Sequence, residues 1–226
     1  MNAAAGLNRI KGIIFDMDGL LLDTESLYLK VGKEQIEKLG GYLEDRIYHI
    51  TLGTNHRRTR EIYREKLGPD FPLEEWEKAV YLALYQHFTT QGVDQKPGAG
   101  ELLRTLQNRG LKIALATSSA RRDAETLLAL SGLEGYFSAV VCGDEISRGK
   151  PEPDIFLAAA AKLNLPPPAC LVLEDSYAGI RGAEAAGMRP IMVPDLVPPD
   201  EDIRRRAFRV CASLIEVESS LDELLE

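Results

Sequence analysis

The chain has 226 residues, 45% of them hydrophobic and 27% charged, with a formal net charge of −8. This length suits one large domain, or a core with a smaller subdomain, able to bury most of its apolar surface. No run approaches the roughly 18 apolar residues of a membrane span, the opening MNAAAGLNRIKG lacks a secretory pattern, and the acidic balance argues against nucleic acid, whose phosphates call for a basic face.

In chain order, KGIIFD reads as a first strand, a short apolar run ending in acid. From Thr24 to Gln95 no strand pattern appears; Trp76, Val80, Leu84 and Phe88 recur four apart, the signature of one helix face. After the Gly- and Pro-bearing link QGVDQKPG come LKIALAT, SAVVCG, ACLVLED, PIMVPD and a short sixth run, RVCAS. Helical patterns separate them: GELLRTLQNRG, RRDAETLLALSG, EPDIFLAAAAKLN and SYAGIRGAEAAGM. Alternating β and α predicts an α/β fold with a doubly wound parallel sheet covered on both faces. The expected division is a core of residues 1–23 and 96–226 with an inserted α-helical cap, 24–95. Cys142, Cys170 and Cys211 fall in or beside strand patterns without metal-type spacing, which fits buried thiols in a reducing cytoplasm. Arg204 to Arg206 read as the solvated side of a short helix. Trp76 is expected between cap helices, and His49 and His87 as structural.

Parallel strands end on one edge, where ligands bind. IIFD ends in Asp16, IALAT in Thr117, and LVLED in Glu174 and Asp175; SRGKPEPD delivers Lys150 ahead of another helix. A calcium loop is excluded, because Gly19 is fourth from Asp16 where that loop needs a sixth-position glycine. Asp16, Asp18, Glu174 and Asp175 against Lys150 leave a formal excess of three negative charges. Two like charges about 4 Å apart repel by roughly 4 kcal/mol at an effective dielectric of about 20, so the edge needs a cation. All-oxygen ligands with open positions favour Mg²⁺, and zinc would want His or Cys.

Residues two apart on an extended segment point the same way, so Asp16 and Asp18 both face the edge. Asp16 is the candidate nucleophile toward phosphorus. Asp18, crowded by carboxylates, is expected to have the raised pKa of a general acid and base. Thr117 and the adjoining Ser118 are candidates for holding phosphoryl oxygens, and Lys150 for admitting an anion to an anionic site.

DMDGLLLDTE, ATSS, GKPEPD and LEDS resemble, in order, the four motifs of the haloacid dehalogenase superfamily, in the branch with a helical cap after the first motif. The likeness covers nearly the whole chain. It implies the same roles for Asp16, Asp18, Thr117 and Lys150, with Asp16, the Asp18 backbone carbonyl, Asp175 and Glu174 around Mg²⁺. Dehalogenases of the superfamily lack the second Asp, so Asp18 points to phosphoryl transfer. The expected activity is hydrolysis of small phosphomonoesters, sugar phosphates or nucleoside monophosphates, by a cytoplasmic monomer without nucleic-acid or membrane partners. A second reading is a β-phosphoglucomutase, weakened because Tyr28 stands where that enzyme has a cap His, although Arg57, Arg58 and Arg60 offer substitutes. A third, a non-catalytic regulator, loses weight because no motif residue is missing. Glu25, Tyr28 and Arg57 are the candidate cap contacts to substrate, with His56 a lesser one. Glu25 also suits the start of the first cap helix.

Overall fold

The computed structural model describes residues 9–226; residues 1–8, the larger part of the opening stretch read for a secretory pattern, lie outside them. Between the first two strands, β1 Gly12–Phe15 and β2 Lys112–Thr117, run the helices α1 Glu25–Lys38, α2 Asp45–His49, α3 His56–Leu67, α4 Leu73–Gln91 and α5 Ala99–Asn108. The chain continues through α6 Arg121–Ser131, β3 Ala139–Cys142, α7 Asp154–Lys162, β4 Cys170–Glu174, α8 Tyr177–Ala185 and β5 Arg189–Met192. It ends with α9 Glu201–Arg206, β6 Arg209–Val210, α10 Leu214–Ser219 and α11 Leu221–Leu224. All six expected strands form, in the parallel order β3-β2-β1-β4-β5-β6. Strand order reverses beside β1, the place where an open parallel sheet opens a crevice for ligand.

Alternation along β1 divides the core between two layers. Ile13 and Phe15 pack with Ile113, Leu115, Leu102 and Leu106 on the face covered by α5, α6 and α10. Ile14 joins Ala114, Ala116, Val172, Phe156 and Ala159 on the face covered by α7. Each fully buried Ile or Phe contributes about 1.5–3 kcal/mol, and the small alanines of α7 let that helix lie close to the strands. Arg204 and Arg205 are exposed, and Arg206 meets Asp202 at 3.0 Å and Glu184 at 2.5 Å, so the arginine triple braces the surface.

Helices α1 to α4 have a small core of their own, with Ile36, Leu43, Ile47, Tyr63, Leu73 and Trp76. Trp76, on α4, donates its indole N–H to the Gly32 carbonyl of α1 at 2.9 Å and packs edge-on to Tyr63 of α3, so it lies between cap helices as expected. His87 is exposed and meets the edge of Phe88; His49 is half-buried on α2. The outgoing and returning chains run side by side, with Asp23 N–H donating to Asp94 O at 2.9 Å and Lys96 N–H to Leu21 O at 2.8 Å. Among the described residues no helix is long and apolar enough to cross a membrane.

Candidate active site

Register brings the acids level. Phe15 pairs with Leu173, so Asp16, one step beyond β1, stands beside Glu174 at the end of β4, and its N–H donates to Leu173 O at 3.1 Å. Lys150, with no exposed side-chain surface, reaches this point from the loop before α7. It donates to Asp16, to Glu174 Oε1 at 2.5 Å and to the Ala116 carbonyl at 3.0 Å. Burial works against its ammonium, but Asp16 and Glu174 outweigh burial and hold its pKa up.

Glu174 Oε2 accepts from the Ser176 N–H at 3.0 Å and the Ser176 hydroxyl at 2.8 Å, while that hydroxyl caps α8 by accepting from Gly179 N–H. The carboxylate thus lies at a helix N-terminus, which favours negative charge. It fits there because residue 179 is glycine; a Cβ would overlap the Glu174 carboxyl group.

Asp16, Glu174 and Asp175 are buried and offer carboxylate oxygens within 4.8 Å of one another. No donor among the described residues reaches the Asp175 carboxylate. Burial, then Glu174 and Asp16, raise its pKa well above the carboxylate range. A buried, unpartnered carboxylate beside two more is what a cation would relieve, and an all-oxygen set fits a hard divalent ion. With both Glu174 oxygens engaged by Lys150 and Ser176, Asp16 and Asp175 carry the free ones. A second group, Cys142, Asp144 and Glu145, is balanced by Arg121 and Lys162, and burial pushes the Cys142 thiol up to about 11. All three cysteines are buried and free.

Asp18 Oδ1 accepts from Thr24 and its Oδ2 from Ser119, each at 2.8 Å, and Asp16, Glu25 and Asp123 lie close enough to feel its charge. Burial raises the carboxyls of Asp16, Asp175, Glu25, Asp123 and Glu77. Asp16 is lifted to about 7 by burial against the pull of Lys150, and Glu25 to about 8 by burial, with Asp18 adding to the rise.

The Ser118 hydroxyl donates to the carbonyl of Gly53 at 2.7 Å, and Ser118 lines the cavity beside Thr117. Thr117 is buried at the end of β2 and accepts from Ser119 N–H at 3.1 Å, which leaves its own O–H to donate. Glu25 turns onto the Tyr48 hydroxyl, and Thr24, at the start of α1, makes no side-chain cap. Tyr28 is half-buried; burial, then Asp18 and Glu25, raise its phenol well above its ordinary pKa.

A cavity of about 740 Å³ joins this edge to the helices above it, with Asp16, Asp18, Thr117, Glu25, Tyr28 and His56 on its wall. Arg57 is absent from that wall. Asn55 caps α3 by accepting from Arg58 N–H, and Arg57, exposed on the first turn, lines a separate small pocket. Sequence reasoning missed Tyr48, which no motif marks, and passed over Ser176, the last residue of LEDS, and Ser119, which follows Thr117 in ATSS.

Fold and site together define an α/β protein with a cluster of buried carboxylates at the C-terminal edge of a parallel sheet. The sequence model of the haloacid dehalogenase-like hydrolase family matches residues 10–187. The chain belongs to that family and is an enzyme of the hydrolase class. It is 34% identical over 182 residues to a phosphorylated carbohydrates phosphatase of Thermotoga maritima, covering 80% of this chain and 84% of that one. It is 35% identical over 195 residues, 84% of each chain, to a protein of Drosophila melanogaster named probable pseudouridine-5′-phosphatase. A solved β-phosphoglucomutase from Clostridium difficile superposes with a TM-score of 0.78 over 95% of this chain and 96% of that one; at 24% identity this likeness is one of fold.

Proposed function

We propose that this hydrolase is a Mg²⁺-dependent phosphatase of small phosphomonoesters, sugar phosphates or nucleoside monophosphates, working through an aspartyl-phosphate on Asp16. The observation that carries the reading is Asp16, which lines the cavity beside Asp18 and is gripped from behind by the buried Lys150, itself paired with Glu174. Relatives named as phosphatases support it.

Lys150 engages Asp16 Oδ1 and leaves Oδ2 to approach phosphorus. As the Asp16 oxygen bonds to phosphorus, the ester oxygen leaves with a proton from Asp18. A water then attacks the phosphoryl group, gives its proton back to Asp18, and frees both phosphate and Asp16. Thr24 and Ser119 hold Asp18 facing the cavity through either state, because a hydroxyl accepts as readily as it donates. Thr117 offers its O–H to a phosphoryl oxygen. Asp16, Asp175 and the Asp18 carbonyl would hold Mg²⁺ with Glu174 behind them, and the bound ion supplies neutralisation of the acids and of the phosphoryl charge.

The mutase reading loses ground on the cap arginines. Arg60 is spent on Glu74 and Glu77, Arg58 on Glu61, and Arg57 lies outside the cavity. We infer a cytoplasmic monomer; three buried free thiols fit a reducing compartment. The test is phosphate release from a panel of phosphorylated metabolites with Mg²⁺ and with a chelator. Release from some esters, abolished by chelation and restored by Mg²⁺, is expected; undiminished release in chelator would overturn the metal dependence, and release from none the activity.

A further inference from the structure

We infer that the leaving group is an uncharged alcohol with a flat aromatic face, held by α4, and that a second anionic group on it is selected against. This rests on the phosphatase reading and narrows it. Val80, Tyr81, Leu84, Tyr85 and Phe88 stand on α4 at three- and four-residue spacing, and all five line the cavity that holds Asp16 and Asp18.

Most apolar stripes of this kind are covered by protein; this one is only partly so. Tyr81 is 43% and Tyr85 48% exposed, their rings nearly parallel with centroids 6.3 Å apart. Exposed aromatics that continue the wall of a reaction cavity mark the place of an apolar ligand surface. The cavity, about 740 Å³, lies within the roughly 300–1,000 Å³ of small-molecule sites and exceeds the need of a phosphate on a short polyol.

Charge points the same way. Away from the Asp16 floor the wall carries Glu77, Asp123 and Asp144. Against them stand Arg122, on the opposite helix beside Asp123, and His56, which faces Glu77 at 3.7 Å. Arg60 meets Glu77 at 3.0 Å and is not free to receive a phosphate. A bisphosphate or a phosphorylated carboxylic acid would bring a second anion to a wall on which, among the described residues, three acids face Arg122 as the one unpaired arginine.

Three esters of one framework test this: ribose 5-phosphate, uridine 5′-monophosphate, which adds only a base, and ribose 1,5-bisphosphate, which adds only a phosphate. Stacking on an aromatic side chain raises kcat/KM for the uridine ester over ribose 5-phosphate by about tenfold or more, and the bisphosphate falls at or below ribose 5-phosphate. In the double variant Tyr81→Ser, Tyr85→Ser, whose exposed positions spare the core, the uridine-to-ribose ratio drops at least about fivefold, while Tyr81→Phe, Tyr85→Phe keeps it. Equal kcat/KM for the first two esters, preference for the bisphosphate, or an unmoved ratio in the serine variant would overturn the assignment and leave the phosphatase reading standing. Turnover of other esters but of none of these three would do the same; no phosphate from any ester overturns both.

Discussion

Lys150 Nζ lies 2.5 Å from Glu174 Oε1 with neither side chain exposed, a buried ion pair to which Asp16 adds a second carboxylate. Removing the cation strands both acids, and breaking such a pair costs about 3–5 kcal/mol. Lys150→Met is therefore expected to lose phosphatase activity and to melt roughly 6–20 °C lower, taking about 2–4 °C per kcal/mol for a chain of this size. Thermal unfolding in chelator checks it, and Mg²⁺ should raise the melting temperature of the variant. An unchanged melting temperature would remove the lysine from its balancing role.

Glu25 gives a pH dependence of definite sign. Its pKa is raised from 4.5 to about 8, so the folded state holds a proton that the unfolded state has lost. The stability this contributes is full below about 4.5 and is lost as pH rises through about 8. In chelator the wild-type protein should lose stability over that window more steeply than Glu25→Gln, compared by denaturant unfolding at each pH. Parallel pH profiles would mean that Glu25 is ionised throughout.

Gly53 of the cap rests on Ser176 of the core so closely that a Cβ would overlap the serine hydroxyl, at a φ of +71° that also favours glycine. Ser118 donates to the carbonyl of the same glycine. Gly53→Ala should lift this contact, speed amide hydrogen exchange around Thr51 and Thr54, and lower kcat/KM about tenfold. Ser118→Ala should speed the same exchange more mildly, with inhibition by inorganic phosphate changed less than about twofold. A large loss of phosphate affinity would return Ser118 to phosphate binding.

The parallel sheet was legible because β1 to β5 carry short apolar runs and most of the crossovers between them are three-and-four periodic helices. The meeting of Asp16, Glu174 and Asp175 followed from strand direction, since every β-strand end opens on one edge, and Lys150 joins them from the loop before α7. What stayed hidden depends on contacts between elements far apart in sequence. Tyr48 meets Glu25 across 23 positions and Ser119 meets Asp18 across 101. The hydroxyl partners of Asp18, Thr24 and Ser119, are fixed by contacts that sequence order does not show. Arg57 was misplaced because a basic cluster carries no mark of which residue faces inward, and the Asn55 cap turns it away from the cavity.

Asp18→Asn keeps the shape and the two hydroxyl contacts but cannot pass a proton, so it should lower kcat by at least about 10²-fold. The deficit should shrink for esters with acidic leaving groups, which depart without protonation. A uniform deficit across leaving groups would place Asp18 outside proton transfer.

The central claim is that the phosphoryl group moves to Asp16, and the most direct measurement is to quench the enzyme in acid during turnover and map its phosphopeptides by mass spectrometry. One phosphoryl group on Asp16, labile to hydroxylamine and absent from an inactive but folded Asp16→Asn variant, is the predicted result. Phosphate released in the first turnover with Asp16 unmodified, or substantial turnover by Asp16→Asn, would contradict it.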